Sequence, residues 1–339
     1  MDKYFDSYLY NTKEGIDLKK VILSIVGTIM VLASAALVLY PFISNYLMSL
    51  NQQAEVSAFQ DYIDNADKDM IANALKDAQE YNKSLYGHVI ITDPFDPNFK
   101  PVFDKEYDSL LNLKGDGVMG YVDIPSIDVT LPIYHGTSDD VLAKGAGHLQ
   151  NTSLPVGGIG THAVLTGHTG LTTARLFTDI NQLKAGDEKK GVKGDVFLIH
   201  VLDITIAYEV DQIKVVEPSE TDDLKIDTEH DYVTLVTCTP YGINSHRLLV
   251  RGKRIPYTEK EESEIDAIER VVESTWMLEY KKAVFAGFIL LLILLAIIIT
   301  ISLIVKHRKK KKLKKVALVS SENENAEQEN TDTENEETE

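Results

Sequence analysis

The chain is almost without cysteine: Cys238 is the only one in 339 residues. An intramolecular disulfide is therefore excluded. No Cys/His group has zinc spacing and no His-Glu-x-x-His occurs. The carboxylates form no calcium loop, and no segment of structural length repeats. Gly158-Ile-Gly-Thr-His-Ala163 has the formal spacing of a dinucleotide-binding glycine loop. Ser-Leu-Pro-Val precedes it instead of a hydrophobic strand, and β-type residues follow it instead of a helix, so that reading fails. No cofactor and no metal is expected.

Charge is absent from two apolar stretches, 21–40 and 283–305. At about 1.5 Å per residue, each is long enough to cross a hydrocarbon layer of roughly 30 Å as a helix. Lys306-His-Arg-Lys-Lys-Lys-Lys-Leu-Lys-Lys315 follows the second stretch at once. Lys19 and Lys20 precede the first, and no basic residue comes after it until Lys68. The excess of lysine and arginine places both chain ends in the cytoplasm and residues 41–282 outside. Against a span, the basic run is a topology anchor rather than a nucleic-acid patch. Ala33-Ser-Ala35 has the look of a signal-peptidase site, but the apolar run continues to Tyr40, which favours an uncleaved anchor.

Of the formal charge of −18, the basic run contributes +8 and the tail from Glu322 to Glu339 contributes −9, leaving −17 for the outer region. Such a surface repels nucleic acid and suits cationic partners. The tail, rich in Glu, Asn and Thr, is expected to be disordered. Helix formers at helical spacing fill 43–86, and a proline-punctuated loop follows at 92–101. From 117 to 256 the pattern turns to short β-type runs: 119–124, 163–166, 196–201, 205–210, 232–237 and 248–252. Strands separated by turn signals predict a sandwich or barrel of about 140 residues. Gly186-Asp-Glu-Lys-Lys-Gly-Val-Lys-Gly-Asp195 reads as a solvated hairpin extension.

Cys238 sits where the strand Tyr232-Val-Thr-Leu-Val-Thr is broken by Pro240-Tyr-Gly242. Most free cysteines are small buried hydrophobes, and a nucleophile needs thiolate support, a proton carrier and an oxyanion stabiliser. Arg247, nine residues on, can supply the cation if the next strand returns beside the thiol. Among nine histidines, His168 in Leu165-Thr-Gly-His-Thr-Gly170 is held between glycines at a strand end, a common setting for a functional loop residue. His148, His162 and His246 compete with it.

Several blocks together resemble the sortases, and within them the class C, pilus-assembling group of Gram-positive bacteria. They are Met119-Gly-Tyr-Val-Asp-Ile-Pro-Ser-Ile127, Leu131-Pro-Ile-Tyr-His-Gly-Thr-Ser138, Ser153-Leu-Pro-Val-Gly-Gly158, Leu165-Thr-Gly-His-Thr-Gly-Leu171 and Thr234-Leu-Val-Thr-Cys-Thr-Pro-Tyr-Gly-Ile-Asn-Ser-His-Arg247. The resemblance runs from about 54 to 255. It implies a mainly β fold: a closed eight-stranded sortase-type barrel with N-terminal helices, here carried on two transmembrane helices. It assigns Cys238 as nucleophile, His168 as general acid and base, and Arg247 as oxyanion stabiliser. Asp93, Pro94 and Phe95 resemble the class C lid, with the aspartate on the arginine and the aromatic over the cysteine. A partly exposed Asp93–Arg247 pair would contribute only about 0–1 kcal/mol.

The implied layout is a cytoplasmic 1–20, a span or signal anchor at 21–40, an outer helical region with the lid at 41–116 and the catalytic barrel at 117–256. An acidic helical linker (257–282), a span (283–305) and the cytoplasmic basic anchor and tail (306–339) complete it. The implied partners are pilin or surface proteins with an LPXTG-like signal and an acceptor pilin lysine, met by a multi-pass enzyme on the outer face of the cell membrane. The charged insertion at 188–194 departs from the family pattern. Two alternatives stay open: a housekeeping sortase that uses a cell-wall precursor amine, and a catalytically silent membrane-tethered barrel that binds surface proteins.

Overall fold

The computed structural model describes residues 18–85, 91–96 and 104–258, with further positions scattered through 277–307. Helix α1 (Leu18–Asp64) is continuous across Pro41. Its first half presents apolar side chains to solvent, among them Ile29, Leu32 and Leu37, and it carries the only candidate span among the described residues. The apolar stretch has a mean hydropathy of 2.1. Its second half turns amphipathic: Val56, Phe59 and Ile63, spaced by three and four, are buried.

The expected pair of membrane helices is thus corrected to one among the described residues. The stretch at 283–305 is helical from 283 to 293, and several positions beyond lie outside the described residues. The first helix also does not stop at 40, because no breaker other than Pro41 intervenes and the later turns find a buried face. The linker at 259–275 and the tail at 322–339 lie outside the described residues.

Helix α2 (Lys68–Ser84) starts on Asp67, whose carboxylate accepts from the amides of Asp69 and Met70. Its buried Asn82 accepts from the Leu154 amide at 2.7 Å and donates to the Leu154 carbonyl at 3.0 Å. That two-way clasp pins the helix to the loop leading into the sheet. A short α3 (Lys105–Ser109) places Tyr107 in the core, where its hydroxyl meets His148 Nδ1 at 2.9 Å.

Eight strands then close a barrel: β1 (Val118–Ile124), β2 (Val129–His135), β3 (Ala146–His148), β4 (Thr161–Thr166), β5 (Val196–Val201), β6 (Ile204–Val216), β7 (Asp231–Thr239) and β8 (His246–Ile255). The order around it is β1-β2-β3-β4-β7-β8-β6-β5. β4 and β7 run parallel, and β8 lies antiparallel between β7 and β6. Alternate side chains divide cleanly between two faces. Leu165, Val233, Leu235, Leu248 and Val250 fill the interior. Val164, Val236, Leu249 and Val216 form a second, outer cluster capped by Ile91 and Phe95.

The insertion at 186–195 is a tight hairpin, with Asp187 and Val192 exchanging backbone hydrogen bonds around a 3₁₀ turn at Glu188–Lys190. Its residues 188–193 are solvent-exposed, as expected. Gly194 is required at its base, since a Cβ there would lie 2.2 Å from the Val210 carbonyl oxygen.

Candidate active site

The parallel register of β4 and β7 pairs Thr166 with Val236. Two residues further on, His168 and Cys238 therefore leave the same end of the barrel side by side. Two bonds lock this junction: the Gly167 amide donates to the Val236 carbonyl at 3.0 Å, and Thr237 Oγ1 donates to the Gly167 carbonyl at 2.7 Å. Gly167 has no room for a side chain, because a Cβ would come within 2.7 Å of the Phe177 ring. Phe177 in turn donates its amide to the His168 carbonyl at 3.1 Å, closing the loop that carries the histidine.

On the other side of β7, the antiparallel register sets Cys238 directly opposite Arg247. The guanidinium makes four hydrogen bonds. Nε and Nη2 donate to the two oxygens of Asp93 at 2.8 and 2.7 Å, and Nη1 donates to the carbonyls of Asn244 (3.1 Å) and His246 (3.0 Å). Both side chains of the pair are nearly buried, at 10% and 11% exposure. This corrects the expected partly exposed pair. A forked, charge-assisted contact shielded from water belongs nearer the ~1.5–3 kcal/mol of bonds to charged groups than the value of a surface pair.

Pro94 is buried and Phe95 half-buried. The Phe95 ring centroid lies 5.6 Å from that of His168, and Arg247 stands 5.1 Å over the same ring. The aromatic thus rests on the histidine and the arginine. A cavity of about 530 Å³ opens beside this clasp, between Asp93, Phe95, Arg247 and the β6–β7 loop residues Pro218, Ser219 and Thr221.

Burial dominates the electrostatics of the thiol and the imidazole. Burial pushes the Cys238 thiol up to about 11; Arg247 opposes the shift and the Asp93 carboxylate adds to it. Burial also lowers His168, against a weaker pull upward from Asp139. Burial thus favours the uncharged form of both the thiol and the imidazole. The other candidate histidines serve the fold. His148 bonds Tyr107 and the Ser153 carbonyl, while His162 bonds Thr234 and the Lys225 carbonyl; burial holds both near 4. His246 is 40% exposed and faces Glu217 at 3.2 Å.

The sortase domain matches residues 122–255, nearly the whole barrel. Sortase C of Streptococcus pneumoniae, whose structure is described as informing catalysis and pilin substrate specificity, is 46% identical. It superposes with a TM-score of 0.55 over 61% of this chain and 98% of that one. The chain belongs to the sortase family. Sortase C1 of GBS pilus island 1 is 40% identical to this sortase, with a TM-score of 0.52 over 66% of this chain and 97% of the other. Sortase D of Bacillus subtilis (strain 168) is 30% identical over 139 residues, which make up 40% of this chain and 63% of that relative.

Sortases are cysteine transpeptidases, and this sortase has one cysteine to offer. Sequence reasoning missed three supports of the site: Thr237, the carbonyl of Asn244, and Asp139. Thr237 had a signal. The alternation of β7 turns it toward the apolar interior, where a hydroxyl needs a stated partner. Asn244 lies only three residues before Arg247, but a backbone carbonyl carries no residue-type signal, and Asp139 had none because only the folded chain brings it near His168.

Proposed function

We propose that this sortase is a class C, pilin-polymerising enzyme. Cys238 attacks the carbonyl between Thr and Gly of an LPXTG-like signal, and its proton passes to His168. Arg247 donates to the oxyanion once Asp93 has left it. The C–N bond then breaks, His168 returns the proton to the departing glycine amine, and a thioester to Cys238 remains. The ammonium of a lysine from a second pilin gives one proton to solvent and attacks the thioester as the free amine; His168 takes a second proton from that nitrogen and passes it to the departing Cys238 sulfur as the isopeptide bond forms.

The observation that carries this reading is the pairing of Cys238 with an arginine that makes four hydrogen bonds, two of them to a displaceable carboxylate. The description of the pneumococcal relative by its pilin substrates, and the pilus-island origin of the GBS one, support the choice of acceptor. In this reading Asp93, Pro94 and Phe95 are a lid that must open for substrate. The catalytic barrel stands on the outer face of the membrane, tethered there by α1.

The test is mass spectrometry of the full-length protein mixed with an LPXTG peptide. An acyl adduct on Cys238, lost in Cys238→Ala and resolved by a pilin lysine in preference to a wall-precursor amine, is the expected outcome. Resolution by the wall-precursor amine alone would instead make it a housekeeping enzyme, and no adduct would leave a binding barrel.

A further inference from the structure

Three buried side-chain hydroxyls among the described residues have no hydrogen-bond partner: those of Ser126, Thr137 and Thr166. Thr166 is the one closest in sequence to His168. It is fully buried, at 0% exposure, and it ends β4 two residues before His168. Its side chain shares a face with Val164, which belongs to the outer cluster under Ile91 and Phe95. Its cross-strand neighbours are Gly147 on β3 and Val236 on β7. A glycine and a valine offer no side-chain partner, so the hydroxyl stands alone on an apolar floor. That floor is roofed by the segment that clasps Arg247.

An unpaired buried hydroxyl is costly, and a native chain keeps one where another state supplies its partner. Here the other state is the one with the roof replaced. Val236, level with Thr166, lies two residues before Cys238, or roughly 7 Å along the strand. An extended peptide advances by the same ~3.3 Å per residue. If its reacting carbonyl sits at the thiol, its main chain about two residues upstream passes over Thr166.

We propose that Thr166 is a substrate-binding residue: its hydroxyl hydrogen-bonds the peptide main chain about two residues before the attacked carbonyl, the peptide taking the place that Ile91 and Phe95 hold over the outer cluster. The bond addresses the backbone, so it tolerates any side chain at that position while requiring an extended strand. This rests on the peptide-transfer reading above.

The experiment uses the full-length chain carrying Asp93→Ala and Phe95→Ala, so that the trough is open, and follows acylation of Cys238 by an LPXTG peptide. Thr166→Val, which keeps the shape and deletes the hydroxyl, is expected to lower kcat/KM roughly tenfold, a typical loss for one hydrogen bond. Thr166→Ser should retain at least half of the parent value. Ser126→Ala, which deletes another unpaired hydroxyl far from the trough in sequence, should leave kcat/KM unchanged. Thermal stability of Thr166→Val should match or exceed that of its parent, because no bond of the folded protein is lost. Unchanged kcat/KM in Thr166→Val, or an equal loss in Ser126→Ala, overturns the assignment alone. Failure of the parent to acylate at all overturns the peptide-transfer reading and this inference with it.

Discussion

Cys238 is held as a thiol by where it sits rather than by any lack of a cation. Arg247 is directly across the ladder, yet its charge is spent on Asp93. The carboxylate acts twice, once by occupying the guanidinium and once by adding its own field to the burial that raises the thiol. Asp93→Asn removes the charge and keeps the shape. The pH at which alkylation of Cys238 reaches half its maximal rate should then move down from about 11, because the thiolate is favoured when the anion is gone. An unmoved midpoint would mean that burial alone sets the thiol. The same residue shows the limit of the sequence as a source. Asp93-Pro-Phe95 reads there as a turn starter and an aromatic, and only the lid resemblance sets the aspartate on the arginine; the string does not tell that the carboxylate reaches that guanidinium, 154 positions later, with both oxygens.

Among elements, α1 has the least obvious role at the site. Asn45, on the turn after Pro41, donates to the Thr172 carbonyl at 2.8 Å, and Ser44 donates more weakly to Thr173 at 3.4 Å. Both acceptors belong to the loop that begins at His168. Arg175 fastens the same loop from inside by donating to the carbonyls of Ile127 and Asp128 and pairing with Asp179. Asn45→Ala should therefore speed amide exchange at 172–177 and lower kcat by roughly 3- to 10-fold with little change in KM, since displacement of a catalytic group costs rate rather than affinity. Exchange unchanged at 172–177 would remove α1 from the positioning of the histidine.

The strands divide by how openly their residues alternate. β1, β4, β5, β6, β7 and β8 could be read in the sequence because each carries a run of β-branched or aromatic residues. β2 was hidden by Pro132, which removes a ladder donor and argues against a strand, although it pairs with Tyr121 inside the sheet. β3 has three residues, one of them glycine, too few for any period to show. Barrel closure came only from the family resemblance, because closure is a property of which edges meet and leaves no local trace.

For the whole molecule, the sequence spoke most clearly through charge. The basic run at 306–315 beside an uncharged stretch predicts that both termini face the cytoplasm. Protease treatment of intact protoplasts should then spare tags at both ends while cutting the outer domain. Loss of the C-terminal tag would reduce the tether to α1 alone. The site was legible as residue types, namely a lone thiol, a glycine-flanked histidine and an arginine on the next strand. Its resting state was not, since neutrality of the thiol and imidazole depends on burial, which only packing creates.

The unbroken α1 has a mechanical consequence. Forty-seven helical residues at about 1.5 Å each make a post of roughly 70 Å, of which a bilayer claims only about 30 Å. The remainder runs up the side of the barrel and is bonded to the very loop that bears His168. Reach is thereby set in the covalent chain. Where a bilayer takes the apolar half of that post, the helix rather than a flexible linker sets the height of the barrel above the lipid.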